Sequence, residues 1–213
     1  MEYSFHLFNR LAADGVTMAA DRLLHTDFLN KNNKMKGAGT DSEKILSEKE
    51  FFLAEKPPVI VCIGSDLAIG DCLGPITGSM LKYKTQGLNV FLYGTLAAPV
   101  TAKEIPYMRT FLKETHADSQ ILAIDAAVGD KGDVGLIKIN DSPLLPGAGA
   151  NKKLGAIGDV SIMGIVAEKS ASNYGLLNTT RLNLVYSMSE IISEAVSMLL
   201  WERCSRKKDR KNA

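Results

Sequence analysis

Val59-Ile60-Val61-Cys62-Ile63-Gly64-Ser65-Asp66-Leu67-Ala68-Ile69-Gly70-Asp71-Cys72-Leu73-Gly74-Pro75 is the stretch whose reading decides the fold. Its first five residues are apolar and largely β-branched, the pattern of a buried strand. Gly-Ser-Asp and Gly-Asp then break the strand and open a helix. Pro75 is tolerated only within a first helical turn, which fixes the helix start near Asp71 to Leu73. Asp71 therefore stands where strand becomes helix. In an open parallel sheet that position lines the crevice in which ligands bind.

Working outward, Ile121-Leu122-Ala123-Ile124-Asp125-Ala126-Ala127-Val128-Gly129 repeats the grammar, an apolar strand expected to end in a carboxylate. Between the two lie a helix from Cys72 to Tyr83, a strand from Leu88 to Gly94 and a helix over 101–115. Gly74 and Gly78 in the first helix permit close approach to the sheet. Thr101 with Glu104 fits a capping box, and Pro106 allows a kink or a later start. Strands and helices alternating at this spacing build a parallel sheet through right-handed crossovers. Past Asp125, Val134 to Ile139 reads as a strand fit to pair antiparallel at an edge. Asp159 to Val166 gives a further strand, and 178–206 a long last helix.

Upstream, residues 3–30 carry apolar positions at helical spacing, with Gly15 expected to interrupt or kink the helix. Asn30 to Ser47 is polar and reads as a surface connection. The chain thus divides into residues 1–50, an N-terminal helix and polar connection, and residues 51–213, an α/β/α domain with the long C-terminal helix.

The 213 residues suffice for one well-cored domain, and 46% apolar with 23% charged residues is ordinary for a globular protein. A net charge of +1 predicts no general attraction to nucleic acid or an anionic membrane. No uninterrupted apolar run approaches the roughly 18 residues of a bilayer span, and no secretory leader is evident. Cys62, Cys72 and Cys204 form no C-x-x-C pair and no metal-ligand spacing with His6, His25 and His116, a usage that suits a reducing cytoplasm. The basic tail Arg203 to Lys211 reads as solvated side chains complementing a helix dipole.

Asp71 taken alone is as well explained as a helix cap as by catalysis. Asp125 is harder to dismiss, because a carboxylate inside an apolar strand costs several kcal/mol if buried unpaired, roughly 2–7 for a polar group and more for a charge. Two such groups in a partly dry crevice cannot both ionise easily. One then activates water as a general base and the other, protonated, polarises a carbonyl. The loop Pro146 to Lys153 is a third element: Gly147 and Gly149 let backbone approach a ligand, and Lys152 or Lys153 suits an anion or oxyanion. It lacks the G-x-x-x-x-G-K-S/T of a phosphate loop. Asp66 and Ser65 fit the turn beside the crevice, and Ser65 lacks the G-x-S-x-G of a serine hydrolase. Cys72 as a nucleophile needs a nearby histidine, and His116 falls at the opposite edge of the sheet.

Cys62-Ile-Gly-Ser-Asp…Gly70-Asp71-Cys-Leu-Gly-Pro75, with Tyr93-Gly-Thr-Leu, Ile124-Asp125-Ala, Pro146-Gly-Ala-Gly-Ala and Gly158-Asp-Val-Ser-Ile-Met-Gly-Ile-Val166, resembles the YyaC family of sporulation proteins, over about residues 57–200. That family is related to the spore germination protease, an aspartic-type endopeptidase, and more remotely to hydrogenase maturation endopeptidases. The resemblance implies a three-layer α/β/α sandwich of the phosphorylase/hydrolase-like type with a mostly parallel sheet. It implies catalytic aspartates at Asp71 and Asp125, and a substrate groove holding Asp66, Thr95, Gly147, Gly149, Asn151 and Lys152. No histidine follows His116, so the nickel site of the maturation enzymes is incomplete here.

The expected function is a sporulation-associated cytoplasmic endopeptidase acting on a protein or peptide substrate, with no cofactor, no metal, no nucleic-acid partner and no membrane. A noncatalytic binding protein that keeps the pocket is the alternative, and metal-assisted hydrolysis is weaker because the carboxylates lack a histidine. Residues 1–50 stay open as a regulatory arm, a dimer contact or neither, so a homo-oligomer stays open too.

Overall fold

In the computed structural model, residues 1–36, 56–147, 154–169, 177 and 179–211 are described. The elements run β1 (Glu2–His6), α1 (Ala12–Lys36), β2 (Val59–Cys62), α2 (Leu73–Lys84), β3 (Phe91–Tyr93), α3 (Ile105–Thr115), β4 (Ile121–Gly129), β5 (Leu136–Asn140), β6 (Val160–Glu168) and α4 (Leu182–Lys211). They form one six-stranded sheet in the order β1-β5-β6-β4-β2-β3. β3, β2, β4 and β6 are parallel, β5 runs antiparallel to β6, and β1 antiparallel to β5.

Strand residues alternate between the two faces, and the two cores follow that alternation. Ile60, Leu122, Ile124 and Ile162 pack with Leu23, Leu73, Leu81, Met188, Ile192 and Leu199 under α1, α2 and α4. Val59, Val61, Ile63 and Ala123 pack with Ile105, Met108 and Leu112 under α3. Among the described residues, three helices on one face and one on the other make the three-layer α/β/α sandwich, mostly parallel, that the resemblance implies.

The N-terminal helix expected from residue 3 is corrected. Glu2–His6 is a strand paired with β5 from Glu2↔Asn140 to His6↔Leu136. Its half-buried Tyr3 and Phe5 sit two apart, a strand period that a helical reading of the longer window absorbs. Gly15 does not break α1. The Phe5 ring lies where a Cβ would stand, 2.3 Å from its ideal position, so the glycine seats that ring. The buried stripe of α1 is Val16, Ala19, Ala20, Leu23 and Leu24, whereas Phe8, Leu11 and Met18 are exposed. The polar stretch from Asn30 is helical through Lys36, and residues 37–47 lie outside the described residues.

Other boundaries shift for local reasons. β3 is shorter than Leu88 to Gly94. α3 takes the later start, with Pro106 in its first turn, while the Glu104 carboxylate still accepts the Thr101 amide at 3.0 Å and the Thr101 hydroxyl. β5 is antiparallel, but β1 covers it and removes it from the edge. α4 is apolar and long enough to cross a bilayer by composition. Its Val185, Met188, Ile192, Val196 and Leu199 are at most 1% exposed, so that apolarity is spent on the sheet.

The basic tail is not uniformly solvated. Arg203 is buried, its Nε donating to Asp21 Oδ1 at 2.9 Å and its Nη1 to Gln120 Oε1 at 3.0 Å. Arg206 donates to Asp21 Oδ2 at 3.0 Å, and Gln120 Nε2 reaches the Leu24 carbonyl at 2.6 Å. Burial pushes the Asp21 carboxyl up, but its bonds to Arg206 and Arg203 outweigh that and hold it below the usual range. A depressed carboxyl contributes stability above its unfolded pKa that is lost as pH falls through the folded value. Arg203→Met is expected to cost about 2 kcal/mol, less than a fully severed buried pair because Arg206 remains. Urea unfolding of both chains at neutral pH and at pH about 3 checks this, since the difference shrinks as Asp21 protonates.

Candidate active site

β2 and β4 run side by side with Cys62 opposite Ile124, and the Ile63 amide bonds the Ile124 carbonyl at 2.7 Å. There β2 stops. The Gly64 amide turns away to the Val100 carbonyl at 3.0 Å, and the Ser65 amide bonds the Asp71 carbonyl at 3.1 Å. The Ser65 hydroxyl accepts the Leu67 amide at 3.1 Å, the turn-forming role its residue type favours. A 3-10 turn, Ile69–Cys72, then leads straight into α2. This loop returns Asp71 to the carboxyl end of the strand it left.

Two glycines make the return possible. Gly64 has φ +141°, and a Cβ there would stand 2.1 Å from the Asp71 carbonyl oxygen. A Cβ on Gly74 would stand 2.0 Å from the Ile63 carbonyl oxygen, so α2 lies backbone to backbone on the end of β2. In most helices Gly→Ala stabilises by about 0.4–1 kcal/mol. Here Gly74→Ala is expected to destabilise by about 2 kcal/mol through overpacking, and thermal melting gives the sign.

Asp71 is not used as a cap. The N-cap positions of the 3-10 turn and of α2 are Ala68 and Cys72, neither with a side-chain cap bond. Burial raises the Asp71 carboxyl, and the Ser65 amide opposes the shift. Asp125 is not at a strand end as expected but in the middle of β4, which continues to Gly129, and it is 8% exposed. Alternation puts its side chain on the face of Ala123. Its Oδ1 accepts the amide of its own neighbour Ala126 at 2.8 Å. Burial, then the negative charge of Asp71, push Asp125 well above the ordinary carboxylate range, against the Ala126 amide. The bonds from Ile63 to the Ile124 carbonyl and from Ser65 to the Asp71 carbonyl set both aspartates beside the end of β2. Among the described residues neither carboxylate has a salt-bridge partner. Nor do three His, Cys, Asp or Glu side chains gather there as a ligand set.

The remaining expected site residues separate. Asp66 is exposed on the loop that carries Asp71. Thr95 closes a turn, its amide and hydroxyl both bonded to Ala98. Gly147 adopts φ +74° in a turn after Pro146, whereas Gly149, Asn151, Lys152 and Lys153 lie outside the described residues. Cys72 is unsuited to nucleophilic attack: burial, Asp71 and Asp66 all raise its thiol, which donates to the Ala68 carbonyl at 3.3 Å. His116 is buried on Tyr93, Oη to Nε2 2.8 Å, among Phe91 and Phe111. What residue types do not announce is the main chain of Ala126 to Gly129, which outruns β2. The signal is a nine-residue run against a β2 stopped by Gly64.

The model of a family described as "Protein of unknown function (DUF1256)" matches residues 30–195. The chain belongs to the DUF1256 family. The matched segment takes in both aspartates and the elements that hold them. Within reach of this DUF1256 chain is the uncharacterized protein YyaC of Bacillus subtilis (strain 168), 39% identical over 161 residues, 76% of this chain and 78% of that one. The YyaC resemblance carried by the sequence motifs therefore holds. Among solved structures, a [NiFe] hydrogenase maturation protease, HycI from Thermococcus kodakarensis KOD1, is similar at 17% identity and a TM-score of 0.45, covering 73% of this chain and 99% of its own.

Proposed function

We propose that this chain is an aspartic-type endopeptidase in which Asp71 and Asp125 divide the acid and base work. The observation that carries the reading is the buried carboxyl of Asp125, held in a strand beside a second carboxyl, a costly arrangement that packing alone has no use for. The difference in environment assigns the roles. Asp71, raised less, ionises first and takes a proton from water as it attacks the scissile carbonyl. Asp125, still protonated, donates to the carbonyl oxygen as the tetrahedral intermediate forms. The proton held by Asp71 then passes to the leaving amine as the C–N bond breaks, and Asp125 recovers its own from the collapsing hydroxyl. Each proton is accounted for and no cofactor is required. The resemblance of the sequence motifs to YyaC implies a sporulation role, and with it substrates inside a sporulating cell.

Hydrolysis of denatured casein tests the reading. The rate is expected to follow a bell in pH: it rises as Asp71 ionises, its carboxyl raised from the ordinary value, and falls as Asp125 loses its proton at higher pH. Activity that persists in EDTA is expected, because two carboxylates with no third donor gathered beside them among the described residues hold a divalent ion weakly. Casein bound but never cut at any pH would replace catalysis by a binding role for the same pocket.

A further inference from the structure

In a parallel ladder the N–H and C=O of one residue face the same neighbour, and successive residues face opposite neighbours. Along β4 the even-numbered residues face β2: the Gln120 carbonyl takes the Val59 amide and the Ile124 carbonyl takes the Ile63 amide. The odd-numbered ones face β6, where the Gly129 carbonyl takes the Lys169 amide at 2.6 Å. Beyond Ile63, β2 has gone, yet β4 runs on through Asp125-Ala126-Ala127-Val128-Gly129 with β6 as its one strand neighbour among the described residues. The β4–β6 register shifts between Ala127 and Val128, but the Gly129 carbonyl still faces β6, so Ala126 and Val128 both turn their main-chain groups to the vacated side. The Ala126 amide is taken up by the Asp125 carboxylate, which leaves the Ala126 carbonyl and both groups of Val128 aimed at that space. All of Ala126 to Gly129 are half-buried, unlike Leu122 to Asp125, which are buried.

We infer that the vacated edge of β4 is where the substrate binds, an extended polypeptide segment adding itself as a strand at Ala126 and Val128. This deepens the peptidase reading and rests on it for the identity of the bound chain. A strand laid there sits about 4.8 Å from β4, which brings its peptide carbonyls alongside the Asp125 carboxyl. Main-chain pairing selects for an unfolded segment, since a folded partner has already used its own donors and acceptors. Leu67, 89% exposed, and Ile69 stand on the loop that carries Asp71, so apolar side chains on the added strand have a surface to meet. The substrate class is thus an unstructured, apolar-rich stretch of protein.

The test is amide hydrogen exchange at Val128 in full-length Asp71→Asn, expected to cut too slowly to release the peptide during the measurement, with denatured casein as the probe. In the free protein the Val128 amide is expected to exchange readily, and with saturating casein at least about tenfold more slowly. Val128→Pro removes one donor on the vacated side without touching the β6 ladder, and is expected to weaken casein binding about tenfold or more. Should that variant fail to fold, the exchange measurement decides alone. A Val128 amide protected in the free protein means the chain's own backbone covers the edge, and that overturns the inference. So does exchange unchanged by casein, or Val128→Pro binding casein at full strength. Protection by casein that wild type does not cleave leaves strand addition standing and sinks the peptidase reading. Cleavage with Val128 unprotected does the reverse.

Discussion

Asp125→Asn is expected to cut peptide hydrolysis by about 10²–10⁴-fold, the range for losing a positioned general acid, while making the folded chain more stable at neutral pH. An asparagine at 125 keeps the shape and still accepts the Ala126 amide, but it cannot hand over a proton. The stability effect has the opposite sign because the native side chain is held against its own preference. Burial and the Asp71 charge raise its folded pKa. A raised carboxyl binds more protons folded than unfolded, so wild-type stability falls as pH climbs from about 4 toward that folded value. The variant lacks this slope. Its advantage is therefore near zero at pH about 3 and reaches about 2 kcal/mol at pH about 7, within the span for relieving one buried polar group. Urea unfolding at both pH values reads it. A loss of stability at neutral pH would mean that the carboxylate is satisfied in the fold and that nothing is being held in reserve.

Asp71→Asn is expected to lower hydrolysis by a similar factor, about 10²–10⁴, by removing the base that takes the proton from water. Its effect on pH dependence separates it from a structural defect. With Asp71 gone the rising limb of the bell disappears, and Asp125, freed of a neighbouring charge, titrates lower, so the residual activity falls off at lower pH than in wild type. Initial rates of casein hydrolysis across pH measure both. A uniform drop with an unchanged profile would move Asp71 from the chemistry to the scaffold, where its carbonyl already serves the Ser65 amide.

The fold was legible wherever apolar period and punctuation agreed. Val59 to Cys62, Ile121 to Ile124 and Val160 to Val166 read as strands because β-branched runs are bounded by Gly, Pro or Asp, and their alternation with helices makes the sheet parallel. The first strand was not legible. Its five residues precede a genuine helix, and only pairing with β5 reveals the two-residue period of Tyr3 and Phe5. Gly15 misled for a related reason: its purpose is to admit Phe5, a contact no local pattern contains. Arg203 was hidden because a basic helix end usually stays in water, and its burial depends on Asp21 and Gln120 arriving from distant elements.

At the site, Asp71 and Asp125 stood out because each breaks an apolar context at a strand that must be buried. That both stand near the end of β2 follows from β2 and β4 being adjacent, a fact of topology that the alternating pattern permits but does not dictate. The extension of β4 past Asp125 was written in Ala126-Ala127-Val128-Gly129 all along. A carboxylate after an apolar run reads as a strand terminator, whereas Asp125 sits mid-strand, its Oδ1 accepting the Ala126 amide.

The central claim is that the two carboxyls act on one another in a single hollow. It is tested most directly by following the Asp125 side-chain carboxyl carbon by ¹³C NMR across pH in wild type and in Asp71→Asn. The expected Asp125 midpoint lies well above the ordinary carboxylate range in wild type and moves down in the variant as the Asp71 charge is lost. A midpoint near about 4 in wild type, or one that is the same in both proteins, would contradict it.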